Sequence, residues 1–332
     1  MIYFNSDYLE GAHPAVMARL METNMVQTVG YGEDEYCETA REKIKLACQA
    51  PEADVHFLVG GTQTNTTVIA AILRPWQGVL SAVSGHINCH EAGAIESTGH
   101  KVITLPTNNG KITAQQVRDY VEWHKNDEST EHIVQPGMVY ISHPTEGGTL
   151  YSKAELTALY DTCKQYGLPL FIDGARLGYG LVADGSDITL PELARLCDVF
   201  YIGGTKVGAL FGEAVVIMNE ALKKDFRFIM KQRGGRLAKG RLLGIQFDAL
   251  FTDDLYLTIS RHAIDMAYQI REIFVSAGYP LLFDSPTNQQ YPIMPDDELA
   301  EIGKNFGYEY WERTDPTHSG VRFCASWATT QE

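Results

Sequence analysis

Between about residues 55 and 220 the chain alternates short, continuously apolar runs with amphipathic stretches of helical length. The runs are Val55–Val59, Gly78–Ala82, Lys101–Leu105, Met138–Ser142, Leu168–Ile172, Val199–Ile202 and Ala214–Met218. Apolar side chains at consecutive rather than alternate positions mark strands covered on both faces, as in a mostly parallel sheet. Helices must then supply both coverings, which confines the chain to an α/β architecture around a seven-stranded sheet. Three of the helical stretches open on capping boxes: Thr113 with Gln116, Ser152 with Glu155, and Thr189 with Glu192, the last carrying Pro191 near its start.

A basic, glycine-containing stretch from Lys231 to Arg241 follows the last run. A long helical pattern then extends from about Leu242 to Ala277, with a break near Thr252-Asp-Asp. Leu281–Phe283, Tyr291–Ile293 and Val321–Ala325 read as strands of a small α+β domain. The expected division is a large ligand-binding domain over residues 1–245, including the N-terminal segment, and a small domain over 246–332. Thr329-Thr-Gln-Glu332 reads as the start of a helix left unfinished, so the small domain is expected to lack its last helix.

The length of 332 residues exceeds what one core supports, in line with two domains. A net charge of −15 argues against nucleic acid or an anionic membrane as partner. The six cysteines are dispersed without a CxxC pair and read as reduced, mostly buried thiols of a cytoplasmic protein. The N-terminus lacks the basic start and apolar core of a signal peptide, and no apolar run reaches the roughly 18 residues needed to span a bilayer.

Against this frame, charged residues at strand ends stand out. Asp173-Gly-Ala-Arg176 follows Leu168–Ile172, and Gly203-Gly-Thr-Lys206 follows Val199–Ile202. Open α/β sheets place ligand sites at such carboxyl ends. A lone lysine there is ordinarily a solvated surface residue. Paired with an aspartate on a neighbouring strand, it supplies the two groups that pyridoxal phosphate (PLP) chemistry requires, a Schiff-base amine and a partner for the pyridine nitrogen. Gly60-Gly-Thr-Gln-Thr-Asn65 opens a helix after Val55–Val59, where exposed N–H groups and the helix dipole favour a phosphate. It matches neither GxGxxG nor a Walker motif. His86 and His90 are spaced for zinc, but no third ligand has a convincing spacing, so no metal is expected. His86 offers instead a flat face for an aromatic cofactor. Glu146, in Ser142-His-Pro-Thr-Glu-Gly-Gly148, reads either as a buried acid–base group or as a turn cap. Arg241 and Arg322 are ordinarily solvated, though Arg322 interrupts an apolar strand.

Taken in order along nearly the whole chain, these motifs resemble the low-specificity L-threonine aldolases of the β-eliminating lyase family, PLP enzymes of the aspartate-aminotransferase-like fold (fold type I). The resemblance covers Asn5-Ser6-Asp7, Gly30-Tyr31-Gly32-Glu33-Asp34, Gly61-Thr62-Gln63-Thr64-Asn65, and His86 with Glu91-Ala-Gly93. It continues through Thr145, Asp173-Gly-Ala-Arg176, Thr205-Lys206, Arg241-Leu-Leu-Gly244 and Val321-Arg322. It implies that Lys206 holds PLP as a Schiff base, Asp173 pairs with the pyridine nitrogen and His86 stacks on the ring. Gly61, Thr62, Thr205 and Arg176 would complete the cofactor site, with Arg241 reaching the phosphate from a neighbouring subunit. Ser6, Tyr31, Arg176 and Arg322 would hold the amino-acid substrate. A homodimer or homotetramer with active sites at the subunit interface is implied as well.

The activity so implied is cleavage of L-threonine, allo-threonine or another β-hydroxy-α-amino acid to glycine and an aldehyde. One departure bears on it. Threonine aldolases commonly place a histidine just after the threonine matched by Thr145, where it contacts the substrate hydroxyl; here that residue is Glu146, as in some relatives acting on aromatic substrates. The base is therefore open among Glu146, His86 and water. β-Elimination and racemisation are the enzymatic alternatives, and a non-catalytic α/β binding protein is the alternative outside catalysis.

Overall fold

The computed structural model describes residues 1–331. The chain opens with a short strand β1 (Ile2–Tyr3) and then lays down the strands of the main sheet: β2 (Asp54–Leu58), β3 (Gln77–Ala82), β4 (Val102–Leu105), β5 (Gln135–Ser142), β6 (Leu170–Asp173), β7 (Val199–Gly203) and β8 (Glu213–Ile217). They lie in the order β2-β8-β7-β6-β5-β3-β4. All neighbouring pairs are parallel except those of β8, which runs antiparallel between β2 and β7. Helices cover both faces, and the buried side chains accordingly form two clusters, one on each side of the sheet. All three anticipated capping boxes are present. Among the described residues no helix is long and apolar enough to cross a membrane.

Glycines let the ends of β6 and β7 approach each other. The Gly203 amide donates to the Gly174 carbonyl at 2.9 Å. A methyl on Gly174 would collide with the Tyr201 carbonyl, and one on Gly203 with that of Ala175. The turns carrying Asp173 and Lys206 can therefore meet over one cavity.

The small domain departs from expectation. Leu281–Phe283 forms no strand and contributes only a bridge from Leu281 to Pro292. Its ladder comprises β9 (Gln289–Gln290), β10 (Ile293–Pro295), β12 (Glu309–Arg313) and β13 (His318–Cys324), with β11 (Phe306–Gly307) pairing β1. The strand β12 escapes notice in the sequence because four of its five residues are exposed and only Trp311 is half-buried. The pairing of β1 with β11 ties the first residues of the chain to the small domain, while Asp7 and Val16 pack on the large one. The helix Arg241–Leu250 and the first half of the helix Leu255–Ser276 pack in the large core, whereas Phe274 near the end of the latter joins the small-domain cluster. The long helix Leu255–Ser276 thus packs against both clusters. Residues 329–331 are not helical, contrary to the expected helix start, and Glu332 lies outside the described residues.

Candidate active site

The carboxyl ends of β2, β3, β5, β6 and β7 surround a cavity of about 310 Å³, lined by Gly60, Thr62, His86, Glu146, Asp173 and Lys206 among others. On its floor the helix Gly61–Ile72 begins from an extended Gly60, with no side chain capping its first N–H groups. Those orphan donors and the positive end of the dipole face the cavity, a ready anion site. A Cβ on Gly61 would stand 3.1 Å from the Tyr201 hydroxyl, so the bare backbone gives the turn its room.

Asp173 ends β6 with its carboxylate accepting three hydrogen bonds. Oδ2 accepts from the Tyr140 hydroxyl at 2.6 Å and from Asn65 Nδ2 at 3.1 Å, and Oδ1 accepts from the Ala175 amide at 3.0 Å. Burial alone would raise its pKa; the His86 charge and hydrogen bonds from Tyr140, Tyr201 and Ala175 outweigh burial and hold it below the ordinary carboxylate range. Asp173 is thus ionised in a dry setting. Lys206 is displaced the other way: burial, with the nearby Arg176 charge, lowers its pKa against the pull of Asp7, Asp173 and Glu213. Its amine is therefore more readily neutral, and so nucleophilic, than a surface lysine's.

His86 sits at the cavity mouth with Nδ1 2.7 Å from Glu91 Oε1. Asn65 Nδ2 donates to that same oxygen at 2.7 Å and so links Glu91 to Asp173. Burial depresses the His86 pKa, but the Glu91 hydrogen bond and the Asp173 and Glu91 charges overcome it and leave the imidazole above its ordinary value. Exchanging Glu91 for Gln removes one of those charges while keeping an acceptor. The His86 titration midpoint, followed by NMR of the ring nitrogens, is expected to fall; an unmoved midpoint would mean that Glu91 carries no charge beside it.

Glu146 is part-buried in the turn after β5. Its Oε1 accepts from the Ser142 hydroxyl at 2.6 Å and from the His86 amide at 2.9 Å. Burial raises its pKa in spite of those bonds, toward the range of a general base. Both the inner cavity and a wider mouth containing Phe283, Trp311 and Arg322 include it in their walls.

Arg176 reaches the same cavity with part of its donor set engaged. Asp7 takes the Nε and Nη2 edge at 2.7 and 2.9 Å, itself steadied by Asn288 at 2.9 Å. Burial would raise the Asp7 pKa, yet the Arg176 and Lys206 charges bring it down to about 2. The Nη1–Nη2 end of the guanidinium, with three of its five N–H donors, is left for a substrate carboxylate. Arg322 lines the mouth and donates to Asn5 O at 2.8 Å and Gln289 Oε1 at 3.1 Å. Ser6 is buried beside Asp7 and lines neither cavity. Thr205 lines the inner cavity, its hydroxyl donating to Glu213 Oε1 and accepting from the Gly212 amide, each at 2.9 Å. Tyr31 and Arg241 do not join this site within one chain. Tyr31 borders a separate cleft with Arg41, His56 and Arg236, and Arg241 donates to the carbonyls of Thr23 and Val26. His90 lies at the mouth with its ring 5.6 Å from that of His86, and no metal-binding cluster occurs among the described residues.

The sequence reading gave no role to Asp7, Asn65, Glu91, Tyr140, Tyr201 or Glu213. The two tyrosines carried a usable signal, since each places a hydroxyl inside an otherwise apolar strand. Asn65 carried none by itself, because its partners Glu91 and Asp173 lie 26 and 108 positions along the chain.

A family model described as β-eliminating lyase matches residues 4–285. The low-specificity L-threonine aldolase of Pseudomonas aeruginosa is 30% identical over 99% of this chain and 94% of its own. That of Saccharomyces cerevisiae is 26% identical over 82% and 69%. A solved structure of the Leishmania major threonine aldolase superposes with a TM-score of 0.96 at 43% identity, covering 99% of this chain and 95% of that one. A histidinol-phosphate aminotransferase from Clostridium acetobutylicum shares the fold, with a TM-score of 0.74 at 13% identity over 98% and 94% of the two chains. The architecture is that of fold type I.

Proposed function

The chain belongs to the β-eliminating lyase family, and on that premise we propose that it binds PLP and cleaves L-threonine or a related β-hydroxy-α-amino acid to glycine and an aldehyde. One observation carries the proposal: a desolvated lysine, an ionised aspartate, an uncapped helix N-terminus and a half-buried carboxylate at the mouth share one cavity. The donor set suits the cofactor. The Gly61 and Thr62 amides would hold its phosphate, Lys206 its aldehyde carbon, Asp173 its ring nitrogen and His86 its face. When bound, PLP supplies a carbonyl for the substrate amine and a ring that takes up the electron pair of the breaking bond.

The chain's own groups do the rest. Ionised Asp173 would keep a proton on the ring nitrogen. Lys206 would give up its hold on the cofactor to the substrate amine and stay in the same cavity. Arg176 and Arg322 hold the substrate carboxylate, which fixes the Cα–Cβ bond in the orientation for cleavage. Glu146 takes the β-hydroxyl proton as Cα–Cβ breaks; the aldehyde departs, and a proton returned to Cα gives glycine. Because Glu146 must be ionised for this and burial raises its pKa, activity should climb as pH rises through that raised value. Glu146→Gln keeps the shape but removes the base, so aldehyde release from L-threonine should fall by about 10²–10⁴-fold. Exchange of the glycine α-proton should persist, since that step does not involve the hydroxyl. Equal losses in both assays would make Glu146 structural and return the base to His86 or water.

The active unit is further proposed to be a homo-oligomer. Tyr31 and Arg241 lie away from the Lys206 cavity of their own chain, and Met17, Met21, Met25, Val29 and Phe228 expose apolar side chains nearby in sequence. A second copy covering that face would complete a neighbouring site with those two residues. The dispersed cysteines, none of them disulfide-bonded, fit a cytoplasmic setting.

A further inference from the structure

Glu213 is the first residue of β8, the antiparallel strand inserted between β2 and β7. Its register partners are Leu58, the last residue of β2, and Gly203, the last of β7. Reversal of this one strand therefore puts a carboxyl group between two turns, the Gly60-Gly61-Thr62 turn on one side and the Thr205-Lys206 turn on the other. The side chain is buried and lines the inner cavity together with both. Oε1 accepts from the Thr205 hydroxyl at 2.9 Å and Oε2 from the Gly204 amide at 3.3 Å, and it forms no ion pair among the described residues. Two neutral hydrogen bonds are meagre support for a buried anion.

We propose that Glu213 makes cofactor binding proton-linked: a phosphate group seated on the Gly61–Thr62 amides obliges this carboxyl group to carry a proton. The inference rests on the PLP reading above. A phosphate dianion and a buried carboxylate in one cavity repel each other, and taking up a proton removes that repulsion at once. The titratable groups facing Glu213 are Lys206 from the β7 turn, Asp173 from β6, Tyr201 from β7 and Tyr256 from the helix Leu255–Ser276. Of these only Lys206 can be cationic, and burial disposes its amine to be neutral. In the free protein burial and the Asp173 charge already raise the Glu213 pKa to about 8, against the pull of Thr205 and Lys206. The sign follows. Below that pH the group is protonated before the phosphate arrives, and binding is indifferent to it. Above it, binding must draw a proton from solution, and affinity drops as pH rises.

The test uses apoprotein and pyridoxamine 5′-phosphate, which has the phosphate but no aldehyde for Lys206. Its Kd is measured by calorimetry from about pH 7 to 9.5 for the wild type and for Glu213→Gln, a neutral side chain of the same shape. Between about pH 8 and 9.5 the wild-type Kd should rise about tenfold more than that of the variant. At about pH 9 the wild type alone, in two buffers of different ionisation enthalpy, should take up close to one proton more with pyridoxamine 5′-phosphate than with pyridoxamine. This second readout stands even where the variant folds poorly. Firm binding with parallel pH profiles and no extra proton would overturn the role of Glu213 and leave the PLP reading intact. Failure of pyridoxamine 5′-phosphate to bind at any pH would overturn both.

Discussion

Replacing Lys206 with Ala is expected to give a folded protein that releases glycine at least about 10⁴-fold more slowly than the wild type, as when the nucleophile of a catalytic set is removed. The fold should survive because Tyr179 donates to the backbone carbonyl of Lys206 at 2.6 Å, a bond that alanine retains. Truncation also relieves a desolvated amine rather than breaking an ion pair. Borohydride reduction of the wild type with PLP, followed by peptide mapping, should mark Lys206. A label on another lysine, or undiminished turnover in the variant with the wild-type circular dichroism spectrum, would remove Lys206 from the chemistry.

Asp173→Ala should lower kcat by about 10²–10³-fold, corresponding to about 3–4 kcal/mol of lost transition-state stabilisation, since a preorganised charge at the ring nitrogen disappears. It should also cost stability, about 1–3 kcal/mol, because the Tyr140 hydroxyl and the Asn65 amide lose their buried acceptor. Asp173→Asn separates the two effects: it keeps most of the shape, so thermal stability should recover while kcat stays low. An Asn variant with near-normal kcat would show that the charge of Asp173 is dispensable.

The main sheet was legible because its strands are buried on both faces, and continuous hydrophobicity is a local signal. The same property concealed the direction of β8, since Ala214–Met218 is as apolar as its parallel neighbours; only pairing with both β2 and β7 reveals the reversal that brings Glu213 into the cavity. In the small domain the local signal fails. The strand β12 is polar on a solvated edge, and β1 is two residues long, held by a partner some three hundred positions away. Lys206, Asp173, His86 and Glu146 were findable as charged or polar residues at strand ends. Their supporting shell was not, because Asp7 against Arg176 and Asn65 against Glu91 and Asp173 are contacts between distant segments. The helical break near Thr252 was visible in the run of aspartates, and Asp253 and Asp254 there adopt left-handed backbone at φ of 51° and 54°.

The Lys206 cavity is proposed to break Cα–Cβ rather than a Cα–H bond. The most direct test is a product balance: purified protein with PLP is incubated with L-threonine, L-allo-threonine and an aryl β-hydroxy amino acid, and glycine, aldehyde, 2-oxo acid, ammonia and inverted substrate are all quantified. Glycine and aldehyde in equal amounts, with little of the other products, is the predicted result. A 2-oxo acid with matching ammonia, or inverted substrate without glycine, would contradict it.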